Sequence, residues 1–256
     1  MRLFVQNDSG SLIREEKGKI GISLLLEHEY AEGDVIVFEP EEEGFYWIQL
    51  DEALGRALLY VTGTFEYPVP FNDKRVSYSP KTFQGSRHYM QIRRARETEV
   101  ENHRNLAFNP YDHHGNRTLF PHAHANVETR GEAVFAARNA IDGITENRSH
   151  GEWPYASWGI NMQDDAAITI DFGRPVDADS ILLYTRADFP HDNWWREVTF
   201  VFSDGSQKTL EMEKSRDPHE LIMDRKTISW VRMEKLMKAD DPSPFPALTQ
   251  IEIYGR

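Results

Sequence analysis

The stretch from Asn105 to the C-terminus constrains this chain most, because β-rich runs and turn signals follow one another there in a regular order. Asn105-Leu106-Ala107 opens the series and Asn139-Ala140-Ile141-Asp142-Gly143 continues it. Ile168-Thr169-Ile170-Asp171-Phe172-Gly173 follows, and Gln250-Ile251-Glu252-Ile253-Tyr254-Gly255 closes it. Ile168 to Phe172 alternates apolar and polar residues at period two, as a half-buried strand does. Ile181 to Tyr184 is continuously apolar, which predicts a central strand buried on both faces. Val198, Phe200 and Phe202 set one face inward, and Ser203-Asp204-Gly205-Ser206 then turns the chain. Asp-Gly favours a tight hairpin because both positions tolerate positive φ. With strands at Ile228–Met233 and Ile251–Tyr254, the stretch reads as an antiparallel sandwich.

The first hundred residues carry shorter signals of the same kind. Strands are expected near Gly21–Leu26, Asp34–Phe38, Phe45–Leu50, Ala57–Val61 and His88–Ile92, bounded by Glu32-Gly33, Glu43-Gly44 and Pro68-Val69-Pro70. Only two short helices are expected, Glu132–Ala140 and Met233–Lys238. The charged run Arg93 to Arg104 reads as a connection or as a short linking helix. The fold class is therefore all-β: a smaller β-sandwich domain over 1–97, then a larger sandwich over 98–256. No chemical motif marks the first domain, and a supporting role is its plain reading. Hydrophobic residues at 39% and aromatic residues at 12% suffice for two cores.

Charge and cysteine content exclude several classes of function. Forty-two acidic against 29 basic residues give a net charge of −13, the wrong sign for nucleic acid or an anionic membrane surface. No cysteine is present, so disulfides, zinc–thiolate sites and cysteine nucleophiles are ruled out. The N-terminal residues lack the apolar core of a signal peptide, and no apolar run could span a bilayer as a helix. A cytoplasmic bacterial protein is the expectation, in which the triplets at Asn7, Asn116 and Asn147 carry no glycan. The sequence allows a homo-oligomer and does not specify one.

In this order and spacing, Asn-Leu-Ala, Asn-Ala-Ile-Asp-Gly, Ile-Thr-Ile-Asp-Phe-Gly, Phe-Ser-Asp-Gly-Ser and Ile-Glu-Ile-Tyr-Gly resemble the discoidin family. These are the coagulation factor V/VIII type C domains, which share the galactose-binding-like jelly roll with family 32 carbohydrate-binding modules. The resemblance covers Asn105 to Arg256. It implies a jelly-roll sandwich that binds sugars, and in some members lipid headgroups or proteins, through loops at one end. It also implies a structural calcium held by Asp142, Thr145 and Glu252 with carbonyls near Ala140, a donor set of hard oxygens that suits that ion. The plainer alternative has Asp142 capping its own turn and Glu252 facing solvent. Extra loops at 109–126 and 149–158 depart from the family pattern and enlarge the ligand-binding end.

The candidate site residues lie in those loops. Arg186-Ala187-Asp188-Phe189-Pro190-His191-Asp192-Asn193-Trp194-Trp195 is richer in rings and hydrogen-bonding groups than a connection needs. A sugar offers an apolar C–H face and a rim of hydroxyls. Aromatic rings meet the face, and Arg, Asp, Asn and His meet the hydroxyls. Arg186, Asp188, His191, Asn193 and Trp194 form this set, with His150 and Trp153 from the preceding loop. Glu152 is a polar contact beside them. Adjacent tryptophans point to opposite faces of a strand, so one of Trp194 and Trp195 belongs to the core. Trp158 is assigned to packing.

His122 and His124, at i and i+2, share a face if 121–126 is extended. They join the ligand-binding set, or with His113, His114, His150 or His191 they bind a transition metal and act hydrolytically. No nucleophile elbow, phosphate-cradling loop or metalloenzyme motif is present. The expectation is thus a non-catalytic carbohydrate-binding protein with a saccharide or sugar derivative as partner. The alternatives are a metal-dependent hydrolase or lyase using His122 and His124, and a protein-interaction module.

Overall fold

The computed structural model describes residues 1–256. Seventeen strands account for most of the regular structure. The first eight are β1 (Arg2–Gln6), β2 (Leu12–Lys17), β3 (Gly21–Glu27), β4 (Val35–Glu39), β5 (Gly44–Gln49), β6 (Ala57–Val61), β7 (Phe65–Pro68) and β8 (Arg87–Arg94). One short helix, α1 (Glu97–Val100), leads to β9 (Arg104–Asn105), β10 (Leu119–Phe120), β11 (His122–Ala125) and β12 (Trp158–Gly159). The long strands follow: β13 (Ile168–Thr185), β14 (Trp195–Phe202), β15 (Gln207–Glu211), β16 (His219–Lys238) and β17 (Ala247–Gly255). The all-β expectation holds.

The first half forms two antiparallel sheets, ordered β2-β1-β4-β7 and β10-β6-β5-β8-β3. Alternation drives this arrangement. In β3 the residues Ile22, Leu24 and Leu26 are buried while their neighbours are exposed, so a single face meets the core. β1, β2 and β7 were not foreseen. β2 (LIREEK) has no fully buried residue; it pairs with β1 and lends only Ile13 to the edge of the core. The core of this half also takes in Tyr111 and Leu119, and β10 pairs with β6. The chain beyond residue 98 therefore returns to complete the first core.

In the second half, β13 and β16 run antiparallel over almost their whole length, with the register shifting between Asp171 and Val176. Gly173 has φ +67, and a Cβ there would meet the Phe120 ring at 2.5 Å. This is a corner that glycine permits. Before the corner β13 pairs with β11, and after it with β17. β14 lies on the far half of β16 and carries β15 on its outer edge. Ile168, Ile170 and Phe172 from one layer join Ile181, Leu183, Ile251 and Ile253 from the other, with Val198, Phe200 and Phe202, in one core. The product is a jelly-roll sandwich.

Three local expectations are corrected. Met233–Lys238 is strand, part of β16, because Met233 and Leu236 pack inward across from β14. Glu132–Ala140 is not one helix but two 3-10 turns, Ala133–Phe135 and Ala137–Ile141, separated by extended Ala136. Ile181–Tyr184 is central in its sheet but buried on one face only, since Leu182 and Tyr184 are half-buried. The hairpin at Asp204-Gly205 forms, but with Gly205 alone at positive φ (+80) and a wider closure, Phe202 N donating to Ser206 O. The connection after β8 contains the alternative helix, α1.

Candidate functional site

Two loops run side by side at the end where β13 and β16 finish. Residues 186–194 lead from β13 to β14, and residues 239–246 lead from β16 to β17. Their edges are fixed by backbone bonds, Arg186 N to Ala247 O at 3.0 Å and Ala239 N to Trp194 O at 2.9 Å. A third loop, from Asn147 onward, is stitched to them. Ala187 N donates to Asn147 O at 2.8 Å, and Asn147 Nδ2 donates to Thr185 O and Arg216 O at 2.9 and 3.0 Å.

Beneath this rim lies a buried polar scaffold. Asp192 takes both Arg186 Nε (2.9 Å) and Arg186 Nη2 (2.6 Å) on Oδ1, and Asp188 N donates to its Oδ2 at 2.8 Å. A buried ion pair of this kind costs heavily to break, because either partner would be left charged and dry. Asn193 is equally committed. Its amide donates to Ala239 O (3.2 Å) and Ser243 O (2.8 Å), and its carbonyl oxygen accepts from Trp194 N. Arg186 and Asn193, read from sequence as contacts for sugar hydroxyls, are thus buried with their donors turned into the protein. A polar residue that holds a loop and one that faces a ligand are chemically the same until the fold chooses.

The remaining rim residues face outward. His150 Nδ1 lies 2.7 Å from Asp188 Oδ2. His191 Nδ1 lies 2.9 Å from Asp192 Oδ1. The two imidazoles stack at 3.9 Å with 7° between planes, and Phe245 stacks on the other side of His191 at 5.4 Å. Ser243 Oγ fixes the segment by donating to His191 O. Phe245 is 42% exposed and Trp153, three residues past His150, is 37% exposed. Phe245 carried no signal in the sequence, because a lone phenylalanine in a Pro-Ser-Pro-Phe-Pro run reads as loop filler. Trp194 is half-buried with the Lys214 ammonium 5.0 Å from its ring centroid. Trp195 is sealed in the core, as is Trp158, whose indole N–H donates to Val127 O at 2.9 Å.

His122 and His124 fall elsewhere, on β11, with ring centroids 5.7 Å apart. His122 Nδ1 is held at 2.7 Å by Asp112, a buried carboxylate that also accepts from Ala123 N and Asn116 Nδ2. Together with His114, Arg117, Asn126 and Glu128 they line an open groove of about 430 Å³. Glu128 draws His114 into a hydrogen bond at 2.8 Å and raises its pKa. Burial, and then the neighbouring His122, lower the pKa of His124. No third histidine or carboxylate completes a metal set with His122 and His124. The hydrolytic alternative therefore lacks its ion site there. None of the residues lining this groove belongs to the His150–His191 rim, so the predicted ligand residues divide into two groups.

The carboxylates expected to hold calcium both have protein partners. Asp142 Oδ2 lies 3.9 Å from the Arg138 guanidinium, whose positive charge opposes a second cation nearby. Burial nonetheless pushes the Asp142 carboxyl up to about 6. Glu252 accepts from Tyr254 Oη at 2.9 Å, and Thr145 is exposed. Asp142 Oδ1 accepts from Ile144 N at 2.9 Å, the turn-capping alternative.

A scan of protein-family models and a search of curated proteins return no match. Among solved structures, the chain is similar to chitosan-binding module 1 of a chitosanase/glucanase from Paenibacillus sp. IK-5, at 20% identity over 59% of this chain and 98% of that one, with a TM-score of 0.41. A fucose-binding module of Streptococcus pneumoniae matches at 13% identity over 59% and 98%, TM-score 0.44. A family 32 carbohydrate-binding module of C. perfringens, in complex with galactose, matches at 16% identity over 52% and 91%, TM-score 0.38. At these values the fold assignment rests on the strand order and the shared core described above.

Proposed function

We propose that the loop rim of the C-terminal sandwich binds a saccharide and does not transform it. One observation carries this reading: Asn147 and Asn193 tie the loops together from below and Asp192 braces the 186–194 loop from within, while His150, Asp188, His191 and Phe245 are left at the surface, with Trp153 exposed on the loop that carries His150. Such a rim is pre-organised, so a ligand need not order it on arrival. Phe245 and Trp153 offer flat apolar faces to a sugar ring. The imidazole edges and the Asp188 carboxylate offer both donors and acceptors to hydroxyls. A neutral, polyhydroxylated ring also tolerates the chain's net charge of −13 better than an anionic ligand would.

Glycan-array screening followed by calorimetry tests the reading. A defined glycan should bind, and Trp153→Ala should weaken it by about 1–2 kcal/mol, roughly tenfold. His191→Ala should weaken it comparably, with the fold intact by circular dichroism. Absence of any glycan response from the wild-type protein contradicts the proposal.

A further inference from the structure

We propose that His150, Asp188 and His191 form a site for a divalent first-row transition ion, zinc being the natural probe. One ligand atom from each residue lies within 4.8 Å of the others. Donors around a tetrahedral ion at roughly 2.1 Å stand about 3.4 Å apart, so the set has to close by no more than about 1.5 Å. Two imidazoles and one carboxylate suit zinc, nickel, cobalt or iron, and leave coordination positions open for water or another ligand.

The surroundings resemble a built site more than a chance surface cluster. His191 Nδ1 is engaged by Asp192 at 2.9 Å, which fixes the tautomer and leaves Nε2 free. A carboxylate behind a histidine in this way orients the ring for a metal. Arg186 already neutralises Asp192, so Asp188, whose side chain is met by the His150 imidazole alone, supplies the negative charge facing the ion. Nitrogen lone pairs lie in the ring plane, so the parallel stack of His150 and His191 must open for both rings to reach one ion. Their side chains are 38% and 41% exposed, and side chains at a surface change rotamer within nanoseconds. The loops below them stay fixed while the rings turn.

The ion would share His150, Asp188 and His191 with the proposed saccharide site, but its test reads the metal alone. The test is calorimetry of zinc into the tag-free, chelator-treated and dialysed full chain. One ion per chain is expected, with His191→Ala and His150→Ala each weakening binding by about 100-fold and Asp188→Asn by about tenfold. His124→Ala should leave it unchanged. Cobalt(II) in place of zinc should give visible d–d absorption that His191→Ala removes. No zinc binding by the wild-type chain overturns the proposal. So does zinc binding that persists in the His150→Ala/His191→Ala double variant, or that His124→Ala abolishes. Zinc binding by a wild-type chain that binds no glycan would uphold this proposal and overturn the saccharide reading, and glycan binding without zinc binding would do the reverse.

Discussion

Two histidine pairs in this molecule have the same chemistry and opposite settings. His122 and His124 sit on β11, where the strand fixes their spacing and its neighbour β13 occupies one side. His150 and His191 come from separate loops that are joined by Ala187 N to Asn147 O and by the Asn147 amide to Thr185 O. A strand repeats its side chains at a fixed pitch, and the carboxylate that meets this pair, Asp112, is already engaged by Ala123 N and Asn116 Nδ2. Loops gather residues distant in sequence, so a carboxylate can join the imidazoles at the rim. The proposed function thus rests on loops that a strand scaffold positions.

The comparison can be broken most forcefully from beneath. Asp192→Ala leaves the Arg186 guanidinium buried and unpaired, so thermal or denaturant unfolding should show a loss of about 3–5 kcal/mol. Rim binding should disappear with it. Asp112→Ala, the equivalent change under the groove, orphans Ala123 N and the Asn116 amide and should cost about 2–3 kcal/mol. Glycan affinity should survive that change at temperatures where the variant is folded. Equal loss of glycan binding in both variants would erase the distinction drawn here.

A smaller effect is expected from Asp142, which lies outside both histidine clusters. Its carboxyl titrates near 6 in the folded protein and near 3.9 unfolded, so the native state holds the proton more tightly across that interval. Stability contributed by this group is therefore present below about pH 4 and lost as pH rises through 6. Measured against Asp142→Asn, wild-type stability should decline by about 1–3 kcal/mol between those values. A flat difference would show that Arg138 compensates the charge fully. The smallest effect belongs to calcium. With Arg138 beside Asp142, millimolar calcium should move the midpoint of thermal unfolding by less than about 1 °C, and a larger rise would restore the oxygen-ligand site.

Much of the scaffold is legible in the sequence because alternation and turn chemistry act locally. Ile168–Phe172, the Asp204-Gly205 hairpin and the closing Ile251–Tyr254 run each declare a strand or turn from a few residues. Trp158 and one member of the Trp194–Trp195 pair are core for equally local reasons. β2 stayed hidden because its exposed, charged residues carry no apolar period, and Met233–Lys238 because a short amphipathic run at a strand end also fits a helix. In the site, the residue types were legible and their orientations were not. Arg186 and Asn193 look like ligand contacts until Asp192 and the carbonyls of Ala239 and Ser243 claim their donors. Phe245 joins the rim through its stacking on His191 and the Arg186 bond to its carbonyl, contacts across more than fifty residues that no local pattern encodes.

The most direct measurement is chemical-shift mapping of the labelled protein with a glycan that binds it. Amides of residues 147–154, 186–193 and 243–245 should move together on saturation, while those of 112–128 along the groove stay in place. Shifts confined to the groove, or spread evenly over the surface, would contradict the assignment of binding to the rim.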